Sequence, residues 1–478
     1  MLKQNKGITL IALIITIIVM MILVAVSVTV ALNGGLFSTA KKAASETQIK
    51  ADEEMLLSAV VGAIGTDAKV DFNKIQLPDG FKVVGDKTYE SPNGNTFTVT
   101  ESGEIKNILI QYKETIEGLG EGVTLVPYKE LTGDLKTSAD EGKIVAVLKE
   151  TKDGIEYQAV IPSGFDVSIK NGEENTISGG LVVSDANGNE FVWVPCTTDT
   201  SNTSGLIKYG KDTQYNIGIT PSYTNYSDWT DESVNENSVR IYKGFYVGRY
   251  EAGIPSNASF YANTNDANYI TEGRNTDVYI PVSKPNNPSW NWISQENAKA
   301  VSEKMYNNSI SVQSGLIDSY AWDTIVNWME SKNPGIATNS VNYGNYLDSS
   351  ISLTDKLYAT YEIDYTTWET NLPSKYQKGT IEIPARSQSG EQTLYEIATG
   401  STEETKVLNI YDMAGNMYEW TTEVGNHDAG TNATQYAVIR GGRFFNHGYD
   451  APVSNRSGNC TSDGRDCYIG FRVVLYVK

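Results

Sequence analysis

The chain is poor in the residues that soft-metal and redox chemistry needs. Its 478 residues include three cysteines and two histidines. Three thiols exclude a disulfide-framework fold. Cys460 and Cys467 are close enough in sequence to pair, which would leave Cys196 over. Free small side chains are the alternative, because spacing alone does not bring Cα atoms within bridging range. Basic residues are also scarce: 38 Lys and Arg stand against 58 Asp and Glu, a formal charge of −20. That balance excludes a nucleic-acid partner, whose phosphates call for clustered cations. It suits a solvated, extracellular-type surface. Aromatics are plentiful, with 29 Tyr and 8 Trp, so a sizeable core is available. The length calls for about three structural units.

Long hydrophobic runs are few, and one stands out. Ile8 to Leu32 is 25 residues without a charge or a proline. It is long enough to cross a bilayer as a helix. Lys3 and Lys6 ahead of it favour a cytoplasmic N-terminus, with the rest of the chain outside. A secretory signal peptide would carry its cleavage site behind the apolar run; the candidate cut here lies ahead of it, at Gly7–Ile8. An ordinary single-pass anchor would meet the same length and hydropathy.

Lys6-Gly7-Ile8-Thr9-Leu10-Ile11 resembles the class III leader of type IV pilins and pseudopilins. The resemblance implies a leader, 1–7, removed by a dedicated peptidase, and methylation of the new terminus at Ile8. It also implies a transmembrane and filament helix over 8–65. The partners would be the membrane and the subunits of a pilus or secretion-type assembly. The location would be the cell membrane and surface, or an extracellular filament. Ala12 stands where the family has a glutamate that pairs with a neighbouring subunit's terminal amine. That departure implies a minor or tip subunit, or an anchor that does not polymerise.

Asn33-Gly34-Gly35 interrupts the helical pattern. Ser38 then offers a cap for a stretch to Ile64, with Ala44, Ile49, Met55, Leu56, Ala59, Val60 and Ala63 largely on one stripe. Residues 66–110 alternate in short runs around Pro78-Asp79-Gly80 and Pro92-Asn93-Gly94-Asn95, which predicts a small β head. Residues 111–155, with glycines at 118, 120 and 122, read as a connector holding a strand at Ile144–Leu148. From 156 onward strand-like runs recur, with a hairpin turn at Asp185–Glu190. Helical stretches follow from Ser294 to Tyr306 and from Tyr320 to Ser331; Trp322, Ile325, Val326, Trp328 and Met329 of the second face the core. Residues 332–400 read as irregular and polar.

Phe191-Val-Trp-Val-Pro195, Phe245 to Glu251, Tyr411 to Trp420, Arg440-Gly441-Gly442 and Ile469-Gly470-Phe471-Arg472 together resemble the formylglycine-generating (sulfatase-modifying) enzyme family. The match spans 156–478. A central Arg-Leu-Pro segment of that family is poorly kept, with Gly315 to Trp322 in its place. The expected fold is therefore α+β: a long pilin-type helix and small β head, then a large, loop-rich C-type-lectin-like mixed domain. The oxygen-using enzymes of the family hold copper through two cysteines after the Gly-Gly. Those places hold Asn446 and Ala451 here, and neither supplies the thiolate that Cu(I) requires. The iron-dependent relatives need several histidines, against His427 and His447 alone. The resemblance thus implies no copper, no iron and lost enzyme chemistry. It also implies a structural Ca2+ at Asn416 and Glu419, whose oxygens are suitable hard ligands. The alternative is that both satisfy backbone groups in a tight turn.

Arg443 to Tyr468 looks like an exposed 26-residue insert between two strands, and it contains no Lys, Glu, Gln, Met or Trp. The residues present are those reachable when the adenines of AAY codons are randomised. The insert resembles the variable region of proteins diversified by a diversity-generating retroelement. Tyr, Phe, Asn, Ser and Gly make adaptable contacts at low entropic cost, as in antibody loops. The candidate ligand-binding residues are Arg443, Phe444, Phe445, Asn446, His447, Tyr449, Asp450, Asn455, Ser457, Asn459, Thr461, Asp463, Arg465, Asp466 and Tyr468. Arg456 matches a recurrent family arginine and reads as structural. A polar solvated loop of fixed sequence has a similar composition. The function expected is a surface-displayed binding protein for an external protein or glycan ligand. An enzyme of the same fold and a purely structural pilus subunit are the alternatives.

Overall fold

The computed structural model describes residues 36–478 except 86, 109–111, 170–173, 200, 202–203, 213–234, 256–278, 368, 371–375 and 427–434, with side chains from 47 onward. The leader and apolar run, including Gly7 and Ile8, lie outside the described residues, as does His427. Among the described residues no helix is long and apolar enough to cross a membrane. The chain divides into two compact units, Met1–Ile110 and Gln111–Lys478.

In the first unit, helix α1 (Leu36–Val61) is followed by β1 (Lys82–Gly85), β2 (Thr88–Glu90), β3 (Thr96–Val99) and β4 (Ile105–Ile108). The strands form one antiparallel sheet in chain order. Ile49, Leu56 and Val60 of the helix are buried with Phe81, Tyr89, Phe97 and Val99 in one core. Met55, expected on that stripe, is exposed. The helix buries a charge as well. Asp52 accepts hydrogen bonds from Ser91 Oγ (2.6 Å), Asn95 Nδ2 (2.6 Å), Asn93 Nδ2 (2.9 Å) and Gln48 Nε2 (3.3 Å). One carboxylate therefore holds the whole β2–β3 turn. Burial pushes its pKa up, and the donated hydrogen bonds outweigh that and hold it below its usual value.

The second unit begins with β5 (Thr124–Leu125), α2 (Gly133–Asp140), β6 (Ile144–Lys152) and β7 (Ile155–Pro162). The strand expected at Ile144–Leu148 is present, within the longer β6. The continuous apolar run Ile144–Leu148 is a buried strand paired along its length with β7, in a sheet ordered β5-β6-β7. Next come β8 (Phe165–Val167), β9 (Val182–Asp185), β10 (Glu190–Thr197), β11 (Ile207–Lys208), α3 (Glu236–Tyr242) and β12 (Gly244–Gly248). Asp185 accepts from the Asn187 and Asn189 amides and so shapes the β9–β10 turn.

Helix α4 (Gln295–Lys304) is capped by Ser294, and after β13 (Val312–Leu316) helix α5 (Ser319–Lys332) is capped by Asp318. Then follow β14 (Ile351–Asp364), β15 (Glu369–Thr370), β16 (Gln377–Ile383) and β17 (Glu391–Ile397). This long ladder replaces the irregular segment expected over 332–400. The chain closes with β18 (Lys406–Val407), β19 (Ile410–Tyr411), β20 (Tyr418–Asn426), β21 (Gln435–Arg440), β22 (Arg456–Cys460), β23 (Ile469–Phe471) and β24 (Val473–Val477). The central sheet runs β13-β24-β12-β10-β9-β8, and a second runs β22-β21-β20-β23. Trp322, Ile325, Val326, Trp328 and Met329 of α5 are buried with Val192, Val194, Phe245 and Val474 of the central sheet.

Asp52→Ala should strip the β2–β3 turn of its common acceptor. We expect amide hydrogen exchange at Thr88–Val99 to report a loss of about 1.5–3 kcal/mol in local opening free energy. Because the folded carboxyl lies below its ordinary 3.8, its contribution is complete above that pH and is lost as pH falls through the folded value. Protection at these amides should therefore fall on acidification in the wild type more than in the variant.

Candidate functional site

The candidate site is the Arg443–Tyr468 insert and the frame beneath it. The frame is ionic and dry. Asp323 in α5 accepts from Arg440 Nη2 at 2.6 Å and from Arg456 Nη2 at 2.7 Å. Arg456 Nε also meets Glu423 at 3.0 Å, and Lys211 pairs with the other oxygen of Glu423. Asp323, Glu423, Arg440 and Arg456 are fully buried. Arg440 further donates to the carbonyls of Asn455 (2.8 Å) and Ser454 (3.1 Å), pinning the middle of the insert. Arg456 is thus structural.

Where β21 ends, the chain must turn sharply against its neighbours. Gly441 and Gly442 have φ +87° and +78°. A Cβ on Gly442 would lie 2.2 Å from the Ala451 carbonyl oxygen, so a side chain is excluded by both dihedral and space. The insert that follows is not one exposed loop. Ala451 to Arg456 is a buried run, and β22 pairs with β21. Two lobes, 443–450 and 461–468, flank that buried centre.

The lobes meet at one cation. The Arg443 guanidinium lies 3.6 Å from the Phe445 ring centroid and 3.8 Å from that of Tyr468, with Tyr418 at 5.3 Å. Phe445 and Tyr468 contact each other edge to face at 5.3 Å. At the first lobe's tip His447 stacks on Tyr449 at 5.1 Å, and His447 Nδ1 lies 3.4 Å from Asp348. Tyr449 is 54% exposed, and Asp450 is exposed beside it. In the second lobe Thr461 and Asp463 are exposed and joined by a 2.6 Å hydrogen bond, while Arg465 and Asp466 are half-buried. Asn446, His447, Phe445, Ser457, Arg443 and Tyr468 are half-buried too. The Asn459 side chain lies outside the description.

Two candidate contacts are corrected. Phe444 is buried, its ring 4.7 Å from Tyr361 among Leu347, Leu394 and Met417. Asn455 is also buried, next to the Arg440 anchor. Neither side chain reaches a ligand surface. Ala451, at a position where the resembled enzymes carry copper, is fully buried, and Asn446 uses its side-chain oxygen on the Arg443 amide (3.2 Å). Cys467 carries a free thiol. Burial, reinforced by Asp466 and Glu396, pushes that thiol well above its usual range, which disfavours the thiolate needed for soft-metal binding or attack.

The residues Asn416 and Glu419 do not fit a calcium ion. Both oxygens of Glu419 accept from Arg472, the closest contact being 2.6 Å. A guanidinium thus occupies the place a cation would take. Asn416 Oδ1 accepts from Asn345 Nδ2 (3.0 Å) and the Ile397 amide (3.1 Å). Its Nδ2 donates to Glu251 at 2.8 Å. Burial, together with the Asp412 and Glu419 carboxylates, raises the Glu251 pKa well above its usual value and favours a proton there. These groups form a closed network, the turn-satisfying alternative that the sequence left open. Among the described residues no cluster of three or more His, Cys, Asp or Glu is arranged for a metal.

Sequence reasoning missed the backing of the insert. Glu396 of β17 is fully buried and accepts from the Tyr361 and Tyr376 hydroxyls, beneath Phe444 and Phe445. The every-second-residue aromatic and aliphatic spacing of Tyr361, Ile363 and Tyr365 was the available signal. Burial raises the Glu396 carboxyl from 4.5 to about 7, against the lowering effect of the two phenols. A carboxyl so raised binds its proton more tightly in the folded chain. Its stabilising contribution is complete below pH 4.5 and is lost as pH rises through about 7, on the order of 3 kcal/mol. Denaturant titrations across that window should show the wild type losing stability, and Glu396→Gln losing clearly less.

Residues 231–477 match the family described as the sulfatase-modifying factor enzyme 1-like domain. A solved structure titled "Crystal Structure of CarF" aligns at 16% identity and a TM-score of 0.28, covering 49% of this chain and 87% of that one. No curated protein matches. The matched stretch holds α5, the Arg440-Gly441-Gly442 turn, the insert and the closing strand, just over half of the sequence. The chain belongs to the sulfatase-modifying factor enzyme 1-like domain family.

Proposed function

We propose that this chain is a surface-displayed ligand-binding protein without copper or iron chemistry. Its C-terminal domain presents the two lobes of the insert to an external protein or glycan. The observation that carries this reading is the arrangement of the insert itself. Exposed Tyr449, Asp450, Thr461 and Asp463 and the Arg443–Phe445–Tyr468 cluster stand on a fully buried ionic frame. Loops on a rigid scaffold are where recognition residues concentrate. The absence of thiols at positions 446 and 451 supports binding over oxygen chemistry. The N-terminal likeness to type IV pilins supports display as a minor or tip subunit anchored by 8–32. The insert's composition supports diversification by a retroelement.

Replacing Phe445, Tyr449 and Tyr468 together by alanine should weaken capture of a surface protein or glycan by about tenfold or more. The melting temperature should change little, since none of the three is fully buried. Binding that survives the triple change would sink the assignment. Deep sequencing of the codons for 443–468 across a population carrying the gene addresses diversification separately. We expect substitutions confined to exposed and half-buried lobe positions, with Arg440, Gly441, Gly442 and Arg456 constant. A uniform insert would mean one fixed specificity.

A further inference from the structure

The edge of the central sheet holds a second feature, independent of the insert. Strand β13 is the edge strand, paired with β24. Cross-strand register sets Gln313 opposite Tyr476 and Gly315 opposite Val474, so these four residues share one face. Val474 and Tyr476 belong to the main core there. Around the sheet edge lies a cleft of about 300 Å³, lined by these four residues, by Ser314 and Leu316 of the other face, by Lys299 and Glu303 of α4 and by Thr422 of β20. That is the lower end of the size of small-molecule sites, roughly 300–1,000 Å³.

Gly315 forms part of the cleft floor. A glycine inside a strand weakens it, and usually a backbone requirement or a crowded neighbour explains its presence. Here neither applies. Its φ is not positive, and a Cβ would meet no atom within 4 Å. The missing side chain keeps the cleft open. On the opposite wall Lys299 precedes Glu303 by four residues, the weaker order for an intrahelical pair. Among the described residues no ion pair involves either side chain. The cleft therefore presents one cation and one anion a helical turn apart, beside the Gln313 amide.

We propose that this cleft binds a small zwitterion of amino-acid or dipeptide size. The ligand carboxylate meets the Lys299 ammonium, and the ligand ammonium meets the Glu303 carboxylate. A neutral sugar would leave both protein charges without a counter-ion, and a simple anion would face Glu303. Thermal-shift and calorimetric titration of the full-length chain with the proteinogenic L-amino acids and glycyl dipeptides tests this, with neutral monosaccharides as the comparison set. We expect at least one zwitterion to raise the melting temperature saturably. Gly315→Val should leave the unliganded melting temperature unchanged or higher, because valine favours strands and its Cβ enters open space. The same variant should lose the ligand-induced shift. Lys299→Ala and Glu303→Gln should each weaken binding by about tenfold or more, and Lys299→Arg should retain it. The proposal is overturned if no zwitterion shifts the wild type, if the shift survives Gly315→Val, or if only neutral sugars produce one. Should Gly315→Val fail to fold, the two charge variants on the helix surface decide the matter.

Discussion

The architecture of the insert depends on Asp323 accepting two guanidiniums at once. Arg440 ends β21 and Arg456 begins β22, so a single carboxylate in α5 sets both strands that frame the insert's buried centre. Glu423 adds β20 to the same cluster through Arg456. Desolvating such ions costs several kcal/mol each, and a well-packed apolar cluster of similar volume would often be as stable. The cluster's value lies in geometry. Removing one member would strand a buried charge, at about 3–5 kcal/mol. That penalty makes alternative registers of β20, β21 and β22 costly, and it fixes where the Gly441–Gly442 turn releases the chain.

How much of this was legible in the sequence depends on where periodicity survives. Helix α5 was readable because Trp322, Ile325, Val326, Trp328 and Met329 repeat at helical spacing against a polar face, and all five are buried. Strand β21 was readable because its apolar run ends at Gly441 and Gly442, whose positive φ other residues adopt less easily. The β14–β17 ladder was not, for the opposite reason. In β14, Glu362 and Asp355 alternate or cluster with buried Leu353, Ala359 and Tyr361, and a bulge between Leu353 and Lys356 shifts the register. A two-residue period broken by a bulge in a polar strand reads as loop.

The insert shows the same limit at finer grain. Phe444 and Phe445 are adjacent and chemically identical, yet one packs on Tyr361 inside the core and the other covers Arg443 near the surface. Outside regular structure no period says which neighbour points inward. The run Ala451 to Arg456 is similarly opaque. Its serine, asparagine and arginine look solvated, and only the carbonyl bonds to Arg440 and the ion pair to Asp323 reveal them as buried. Glu396 could not be found from composition at all, since its neighbours Tyr361 and Tyr376 are remote in sequence.

The way the lobes attach to the frame bears on what kind of surface they can be. The Phe444 amide donates to the Asn416 carbonyl at 2.9 Å, and the Leu347 amide donates to the Asn446 carbonyl at 2.9 Å. The Ser340 amide donates to the Gly448 carbonyl, also at 2.9 Å, and the Gly448 amide donates to the Asp348 side chain at 2.9 Å. Arg440 holds the carbonyls of Ser454 and Asn455. In each case the insert contributes main chain, which is the same for every residue except proline. The exposed side chains at 449, 450, 461 and 463 are consequently not required for docking. A surface held in this way can change its exposed residues while keeping its backbone path. Positions that cannot change freely include Gly441 and Gly442 for their dihedrals, Gly448 for the close Val341 backbone, Phe444 for its packing, and Arg456 for its charge. On the proposed reading, this separation of backbone anchoring from exposed side chains is what recognition of varied partners would draw on.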